Sequence, residues 1–254
     1  MIYAMSDVHG CLDAFEKSLS AVDLSDGTSK LVLCGDYCDR GPASLQIFQR
    51  IIRLQHDHPN QVIALRGNHE EMLLEYVDMV DDPDFTRAWM MADSNLATAK
   101  SFLGHDSFVL VKHLLEHRQF TKAYQFVVTR MKEKHADVIA WIRKLPYFYE
   151  TPPRQVFVHA GVDEEAGDLW RIGTPAVSFT AMEPEYVGQH WTLDVIAGHI
   201  DTETISGIPG YEGIWHDGAS HYYIDGGVMR TGHIPVLAYD ECEQKYQEAN
   251  RKYR

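Results

Sequence analysis

The stretch LVLCGDYCDRG, residues 31–41, decides how this chain folds. It begins with an apolar run of strand length and passes directly into a glycine, an aspartate and an Asp-Arg-Gly turn. If residues 31–34 form a buried strand, Asp36 lies at its carboxyl end, where open α/β sheets place their ligands. Asp36 is therefore the predicted centre of a functional site.

Two further segments repeat this order of strand, polar loop and helix. Residues 1–5 are apolar and lead into Ser-Asp-Val-His-Gly, and residues 62–65 are apolar and lead into Arg-Gly-Asn-His-Glu. Apolar residues at helical spacing follow each of the three loops. Three consecutive units of this kind predict parallel strands joined by right-handed crossovers.

The chain changes character between about residues 81 and 149, where helical patterns replace the strand and loop units. Two apolar helix faces are predicted, formed by Phe120, Tyr124, Val127, Val128 and Met131, and by Val138, Trp141, Ile142 and Leu145. Pro146 is expected to end the second helix. We interpret this segment as a helical insertion that packs on the core, with a cap that shapes a substrate cleft as the alternative.

Short strands return after the helical segment. They are predicted at residues 156–158, 193–197, 222–224 and 234–239, without intervening helices. Strands at this spacing predict a second, more antiparallel sheet packed on the first. The charged residues 240–254 are expected to form a helix or a frayed tail.

Composition narrows the class of protein. A chain of 254 residues that is 45% hydrophobic fits a single domain spanning residues 1–254. The formal net charge of −14 argues against a protein that tracks a nucleic-acid backbone, and no run approaches the ~20 apolar residues of a membrane span. Four cysteines without a CxxC pair are expected to be reduced thiols. We therefore expect a soluble, cytoplasmic protein with neither nucleic acid nor membrane as a partner.

Five loops that each follow an apolar strand carry side chains of the metal-ligand type. These side chains are Asp7 and His9, Asp36, Asn68, His159, and His199. Two carboxylates held ~4 Å apart would repel by ~4 kcal/mol at an effective dielectric of about 20, so their convergence favours a cation. Carboxylate, imidazole and amide oxygen suit manganese, iron or zinc, and a central aspartate with ligands on both sides describes a two-metal centre.

Each of these residues also has a structural explanation when it is taken alone. Asp7 and Asn68 could cap helices, and His159 could be a hydrogen-bonded core histidine. His216, His221, Asp225 and His233 lie near other strand ends, and for them we favour a structural role. The match of five loops, rather than any single residue, favours the metal site.

The motifs SDVHG, GDYCDRG, LRGNHE, VHAG and GHI, in this order, resemble the signature of the calcineurin-like metallophosphoesterases. The phosphoprotein phosphatase branch is most similar, and it includes bacterial serine/threonine phosphatases and symmetrical diadenosine tetraphosphate hydrolases. The resemblance implies an α/β fold, a two-sheet αββα sandwich, and the helical insertion at about residues 81–149 lies outside the resemblance. It also implies two divalent metal ions, with manganese as the first choice and iron or zinc as alternatives.

By position, the resemblance assigns ligands to each metal. The first metal would be held by Asp7, His9 and Asp36. Asp36 would bridge to the second metal, whose other ligands would be Asn68, His159 and His199. A hydroxide between the metals would attack phosphorus in line, without a covalent phosphoenzyme.

The resemblance also assigns residues that act on the substrate. His69 resembles the general acid that protonates the leaving oxygen, with Asp39 orienting its ring. Arg40 and Arg66 resemble phosphate clamps, because a planar guanidinium grips two phosphate oxygens, and Arg171 in DLWRIG is a third candidate. The alternatives are a supporting hydrogen bond for His69 and surface ion pairs for the arginines.

Three functions remain open from the sequence. The first is a dimetal phosphomonoesterase acting on phosphoserine or phosphothreonine in a protein or peptide, which the intact Asp39-Arg40 pair favours. The alternative is a dinucleoside polyphosphate hydrolase that uses the same centre to cleave diadenosine tetraphosphate. A third hypothesis is a metal-bound scaffold that has lost its chemistry.

Overall fold

A computed structural model describes residues 1–79, 96–152 and 154–250, and it contains two five-stranded sheets. The first sheet consists of β1 (Ile2–Met5), β2 (Lys30–Leu33), β3 (Val62–Ala64), β9 (Leu237–Asp240) and β10 (Lys245–Glu248). The second consists of β4 (Phe148–Thr151), β5 (Gln155–Val158), β6 (Asp194–Asp201), β7 (Trp215–His216) and β8 (His221–Asp225). Their strand orders are β10-β9-β1-β2-β3 and β4-β5-β6-β8-β7.

The three predicted units of strand, loop and helix are confirmed. Strands β1, β2 and β3 are parallel, with Ala4 opposite Val32 and Val32 opposite Ile63. They are followed by helices α1 (Leu12–Leu19), α2 (Ser44–Asp57) and α3 (Asn68–Asp78). The loops that carry Asp7, Asp36 and Asn68 therefore lie at one edge of this sheet, at the carboxyl ends of its parallel strands.

The predicted helical segment contains α4 (Ala97–Leu103), α5 (His105–Glu116), α6 (Phe120–Lys134) and α7 (Ala136–Ile142). Tyr124, Val127, Val128 and Met131 are buried along α6 as predicted, whereas Phe120 is 39% exposed. The helices share one apolar cluster with α1 to α3. Residues 81–95 of the predicted insertion lie outside the described residues, and the single-domain organisation stays a prediction.

The second sheet is parallel at its centre and antiparallel at its edges. Strands β5, β6 and β8 are parallel, while β4 and β7 pair in the antiparallel sense. The predicted antiparallel character is therefore right only for the edges. Helices also separate the strands where none is predicted: a 3₁₀ helix (Glu164–Leu169), α8 (Trp170–Gly173), α9 (Ala176–Ala181), α10 (Thr202–Ser206) and α11 (Val228–Thr231).

The carboxyl-terminal strands correct two further predictions. The strand expected at residues 234–239 of the second sheet is β9, which joins the first sheet antiparallel to β1, with Tyr3 opposite Ala238. Residues expected to form a helix or a tail instead form β10, which pairs with β9. Tyr246 of β10 packs on the cluster between the sheets, so this edge strand has one apolar contact face.

Alternate residues of β1 separate the two main cores, as the period of two along a strand requires. Ile2 and Ala4 face the cluster between the sheets, while Tyr3 and Met5 face the cluster beneath the helices. A third cluster around Trp170 covers the other face of the second sheet. The two sheets thus form the predicted αββα sandwich.

Two further observations concern the chain as a whole. No helix within the described residues is long and apolar enough to cross a membrane. The four cysteines are reduced thiols, as predicted, and two of them, Cys34 and Cys38, are buried. The cytoplasmic location stays a prediction.

Candidate metal centre

The loops after β1 and β2 hold their polar side chains through a strained backbone. Asp7, His9 and Asp36 all have positive φ, at 54°, 44° and 59°. Such conformations cost on the order of 1–3 kcal/mol each and persist where the surrounding structure determines them. Here the loops hydrogen-bond to each other, from Asp7 N to Gly35 O at 3.1 Å and from His9 N to Asp36 O at 2.9 Å.

His9 faces two carboxylates with an unprotonated nitrogen. Its Nδ1 lies 3.0 Å from the Cys38 carbonyl oxygen, so Nδ1 carries the proton and Nε2 the lone pair. Nε2 lies 3.8 Å from Asp7 Oδ1 and 3.6 Å from Asp36 Oδ2, and it is buried without a hydrogen-bond partner. Burial lowers the pKa of His9 to about 3. A buried lone pair between two carboxylates fits a divalent cation. A proton on Nε2 would bring only one positive charge to the two carboxylates.

His159 repeats this arrangement on the other side of Asp36. Its Nδ1 lies 2.7 Å from the Cys34 carbonyl oxygen, and its Nε2 lies 3.4 Å from Asp36 Oδ1. Burial lowers the pKa of His159 well below its ordinary value, and the neighbouring His199 adds to this. The ring is therefore neutral, and its Nε2 has a lone pair that a metal could bind.

The Asn68 amide oxygen points at acceptors. It lies 2.9 Å from His159 Nε2, and a rotated amide would instead place its nitrogen 3.2 Å from His199 Nδ1 and 2.9 Å from His159 Nε2. As placed, amide oxygen and imidazole nitrogen converge with no proton between them. A bound cation would stabilise this arrangement, because the amide oxygen and the imidazole nitrogens can all bind metals.

Asp36 belongs to both groups of side chains whose ligand atoms lie within 4.8 Å of one another. One group also contains His9 and His69, and the other Asp7 and His159. Burial raises the pKa of Asp36 well above its usual value, and the charges of Asp7 and Glu70 raise it further. A cation would offset this cost, so Asp36 occupies the position that a bridging ligand requires.

His199 reaches the centre from a bulge in β6, where the register with β8 shifts between Ala197 and Asp201. Its φ is 67°, and its backbone N–H donates to Asp7 Oδ2 at 3.0 Å. Burial lowers the pKa of His199, so its ring is also neutral. All six predicted metal ligands are thus brought to one place, although their role as ligands stays a prediction.

His69 and Asp39 form the predicted pair. His69 Nδ1 lies 2.8 Å from Asp39 Oδ2, and its Nε2 lies 3.9 Å from Asp36 Oδ2 on the metal side. The exposed Arg40 places Nη2 3.4 Å from this Nε2. His69 Nε2 and the Arg40 guanidinium therefore flank the carboxylate cluster, where a phosphoryl group would lie.

The other two arginines contact different parts of the molecule. Arg66 donates to Glu71 at 3.1 Å and to the carbonyl oxygens of Ile142 and Arg143 at 3.2 and 2.6 Å, so it ties the loop after β3 to the end of α7. Arg171 pairs with Glu150 at 2.7 Å and lies over the Trp170 ring. The sequence suggests both arginines as phosphate clamps. In this structure, neither could bind phosphate without giving up these contacts.

Glu70 is a buried residue of this site to which the sequence motifs assigned no role. Its carboxylate accepts hydrogen bonds from Asp36 N at 2.8 Å, Tyr37 N at 2.8 Å and Gly67 N at 3.0 Å. It therefore holds the second and third ligand loops together. The signal for it is a glutamate in the first turn of α3 at the spacing of a capping box.

The remaining candidates near strand ends make structural contacts. His221 lies between Asp217 Oδ2 at 2.6 Å and Glu164 Oε1 at 2.7 Å. His216 stacks on Tyr222, His233 lies 3.4 Å from Glu248, and Asp225 accepts a hydrogen bond from Gly227 N. These contacts fit a structural role for the four residues.

Comparison with known proteins connects this geometry to a family. Residues 1–202 match the family model described as calcineurin-like phosphoesterase. A symmetrical bis(5'-nucleosyl)-tetraphosphatase from Nitrosococcus oceani is 37% identical over 191 residues, which is 75% of this chain and 52% of that protein. One from Chromobacterium violaceum is 37% identical over 73 residues, or 29% of this chain and 25% of that protein. The chain thus spans about half the length of the first relative and a quarter of the second.

Solved structures share the fold. A crystal structure described as a diadenosine tetraphosphatase aligns with a TM-score of 0.56 at 17% identity, covering 97% of this chain and 91% of that one. A cold-active protein-tyrosine phosphatase from a Shewanella species aligns with a TM-score of 0.53 at 15% identity, covering 98% and 80%. At this level of identity the likeness concerns the arrangement of the sandwich.

Proposed function

Since this chain belongs to the calcineurin-like phosphoesterase family, we propose that it is a metal-dependent phosphohydrolase with two divalent ions. The observation that carries the proposal is the position of Asp36 in both ligand groups. Asp7 and His9 would complete one metal site with Asp36. The residues that complete the other would be Asn68, His159 and His199. When bound, such ions supply Lewis-acid chemistry, in that they offset phosphoryl charge and activate water for in-line attack.

The protein's own side chains would orient the substrate and move the proton. Asp39 accepts from His69 Nδ1 and so fixes the ring with Nε2 toward the carboxylate cluster. From there, His69 would protonate the leaving oxygen, a step that typically contributes ~10²–10⁴ in rate. Arg40, exposed beside His69, would hold the phosphate oxygens.

The substrate we propose is a dinucleoside polyphosphate, cleaved symmetrically, with diadenosine tetraphosphate yielding two molecules of ADP. The support is the name of the Nitrosococcus relative, which is 37% identical over three quarters of this chain. This reverses the order of preference reached from the sequence. Arg40 is the one proposed clamp whose guanidinium has no carboxylate partner among the described residues, and it would meet the polyphosphate chain.

A phosphate monoester is the second candidate, supported by the His69–Asp39 contact of 2.8 Å. A seryl or threonyl oxygen is a poor leaving group and requires protonation, whereas a nucleoside diphosphate leaves more readily. An oriented general acid is therefore most valuable for a phosphoprotein substrate.

A substrate panel tests the proposal. The purified protein is assayed with diadenosine tetraphosphate, nucleotides and phosphopeptides, with manganese and then with chelator. We expect the dinucleotide to be preferred, chelator to abolish turnover, and Asp36→Asn to be inactive. Asp13→Asn, an exposed carboxylate on α1, is the matched control and should retain activity. Turnover that survives both chelation and Asp36→Asn would overturn the proposal, and a preference for phosphopeptide would restore the monoester as the first candidate.

We propose manganese as the native metal, with iron or zinc as alternatives, since the donor set contains carboxylate, imidazole and amide oxygen and no thiolate. Elemental analysis of protein purified without added metal identifies the ions. Two manganese equivalents per chain are expected, and a cysteine-bound zinc would contradict the assignment.

A further inference from the structure

Helix α4 contributes a hydroxyl group to the pair formed by His69 and Asp39. Thr98 lies in the helical segment, outside every motif of the family resemblance, and it is fully buried. Its Oγ1 donates to Asp39 Oδ1 at 2.5 Å and accepts from the Asp39 backbone N–H at 2.9 Å. Thr98 therefore contacts the same carboxylate that holds the His69 ring.

The groups around Asp39 determine which atom donates and which accepts in each of its hydrogen bonds. Asp39 Oδ2 is occupied by His69 Nδ1, so Oδ1 is left to Thr98. Ser44 Oγ lies 3.0 Å from Thr98 Oγ1 and 3.2 Å from Asp39 N. A threonine hydroxyl has a single proton, and the carboxylate, which has none, must receive it. Both oxygens of a carboxylate that is 4% exposed are thereby satisfied.

We propose that Thr98 is a positioning residue for the general acid, an inference that rests on the proposed phosphohydrolase function. Without the hydroxyl, Asp39 Oδ1 becomes a buried acceptor without a partner, and the carboxylate must rotate to find one. Rotation moves Oδ2, which orients His69. The helical segment thus takes part in the chemistry through one side chain of α4.

The test compares variants that differ in the hydroxyl alone. Thr98→Val removes it and keeps the shape, Thr98→Ser keeps it, and Thr98→Ala is a second deletion in case the valine variant does not fold. Ser101→Ala is the matched control. Ser101 also joins α4 to α2, accepting from Leu45 N at 2.9 Å and donating to Gln46 at 2.8 Å, with no contact to Asp39.

The kinetic measurement uses leaving groups of different quality. Removal of a residue that orients a functional histidine typically costs ~10–100-fold. We expect Thr98→Val to lower kcat to that extent for phenyl phosphate and far less for p-nitrophenyl phosphate, with KM unchanged. Thr98→Ser and Ser101→Ala should behave as the wild type. An equal loss for both substrates, or the same loss in Ser101→Ala, would overturn the inference.

A second measurement is independent of turnover. In protein labelled with ¹⁵N at histidine and loaded with a diamagnetic ion, Thr98→Val should shift the His69 Nδ1 proton upfield and accelerate its exchange with water. Thr98→Ser should preserve the resonance.

If the wild type hydrolyses no substrate but this shift is seen, the proposed function fails and the role of Thr98 stands. If the wild type is active but its resonance and rates are insensitive to Thr98→Val, the proposed function stands and the role of Thr98 fails.

Discussion

The ligand loops and the helical segment carry their functional groups in different ways. In the loops, Asp7, His9, Asp36, Asp39 and His199 all have positive φ, so the backbone itself is held in an unfavourable conformation. In the described part of the helical segment, Thr98 lies in a regular helix, and only its side chain is special. The loops therefore depend on backbone packing, whereas the helical contribution depends on a single hydroxyl. Substitutions that disturb the backbone of the loops should therefore have different effects from substitutions that change a side chain of the helical segment.

The largest effect is expected for Gly67→Ala in the third ligand loop. An added Cβ would lie 2.2 Å from Asp36 Oδ1 and 2.5 Å from Asp36 N, so the two loops must separate. We expect a loss of roughly 3–5 kcal/mol in the free energy of unfolding, measured with urea, and loss of activity. Gly104→Ala between α4 and α5 is the control. Its Cβ meets nothing within 4 Å, and only its backbone conformation, with φ 74° and ψ 173°, costs about 1–3 kcal/mol. Equal losses would mean that the loops are no more tightly packed than the helical segment.

A core substitution in the helical segment should affect stability without affecting chemistry. Met131 is fully buried on α6, and Met131→Ala should lower the free energy of unfolding by about 2–4 kcal/mol through the cavity that it leaves. The folded protein should keep its kcat, because Met131 lies on α6, outside the ligand loops, and is not among the predicted ligand or substrate-binding residues. Val109→Ala, at a position 55% exposed, should change stability by less than about 0.5 kcal/mol. A fall in kcat that persists well below the melting temperature would show that the packing of the helical segment also affects the chemistry.

Glu70→Gln tests the link between the ligand loops. The amide can accept from fewer of the three N–H groups and places its own NH₂ against the rest. Stability should fall by about 1–3 kcal/mol, and manganese affinity, measured by calorimetry, by ~10–100-fold. Glu75→Gln, exposed on the same helix, should leave both unchanged. If stability falls while metal affinity does not, Glu70 supports the fold alone.

The smallest effect concerns a histidine outside the ligand loops. Burial lowers the pKa of His221, but hydrogen bonds to Glu164 and Asp217 outweigh it and raise the pKa above its ordinary value, the reverse of His9 and His159. Its contribution to stability is therefore complete below the unfolded pKa of about 6.5 and is lost as pH rises through the folded pKa.

The measurement for His221 is the difference in unfolding free energy between the wild type and His221→Gln across this range of pH. The difference should shrink as pH rises. A difference that stays constant with pH would show that His221 is neutral when folded, like His9 and His159.

The ligand loops were predictable because their signals are local. An apolar run followed within a few residues by Asp36 or Asn68 is visible in the sequence, and parallel strands then bring the loops together. The contacts of Arg66 were not predictable, because its carbonyl partners, Ile142 and Arg143, lie 76 and 77 residues away in the sequence. Thr98 gave no signal either, since a threonine in a helix is ordinary until tertiary packing places Asp39 beside it.

The difference between local and long-range signals also explains why β9 was expected in the wrong sheet. Strand β9 was recognised as a strand, but nothing in its own residues says that it pairs with β1 rather than with the second sheet. Strand pairing depends on which edge is available after the helices have packed. The period of apolar residues along a strand shows whether one or two of its faces are buried. It does not show which strand lies beside it.

The position of β1 in the first sheet has a consequence for synthesis of the chain on the ribosome. Residues 2–5 are synthesised shortly before β2 and can pair with it early, but their other neighbour, β9, begins only at Leu237. Until then the apolar strand that precedes Asp7 has an open edge, which is a template for pairing with other chains. Nascent chains of this protein should therefore be chaperone clients until β9 has been translated, and the loop that contains Asp7 should be among the last of these parts to become rigid.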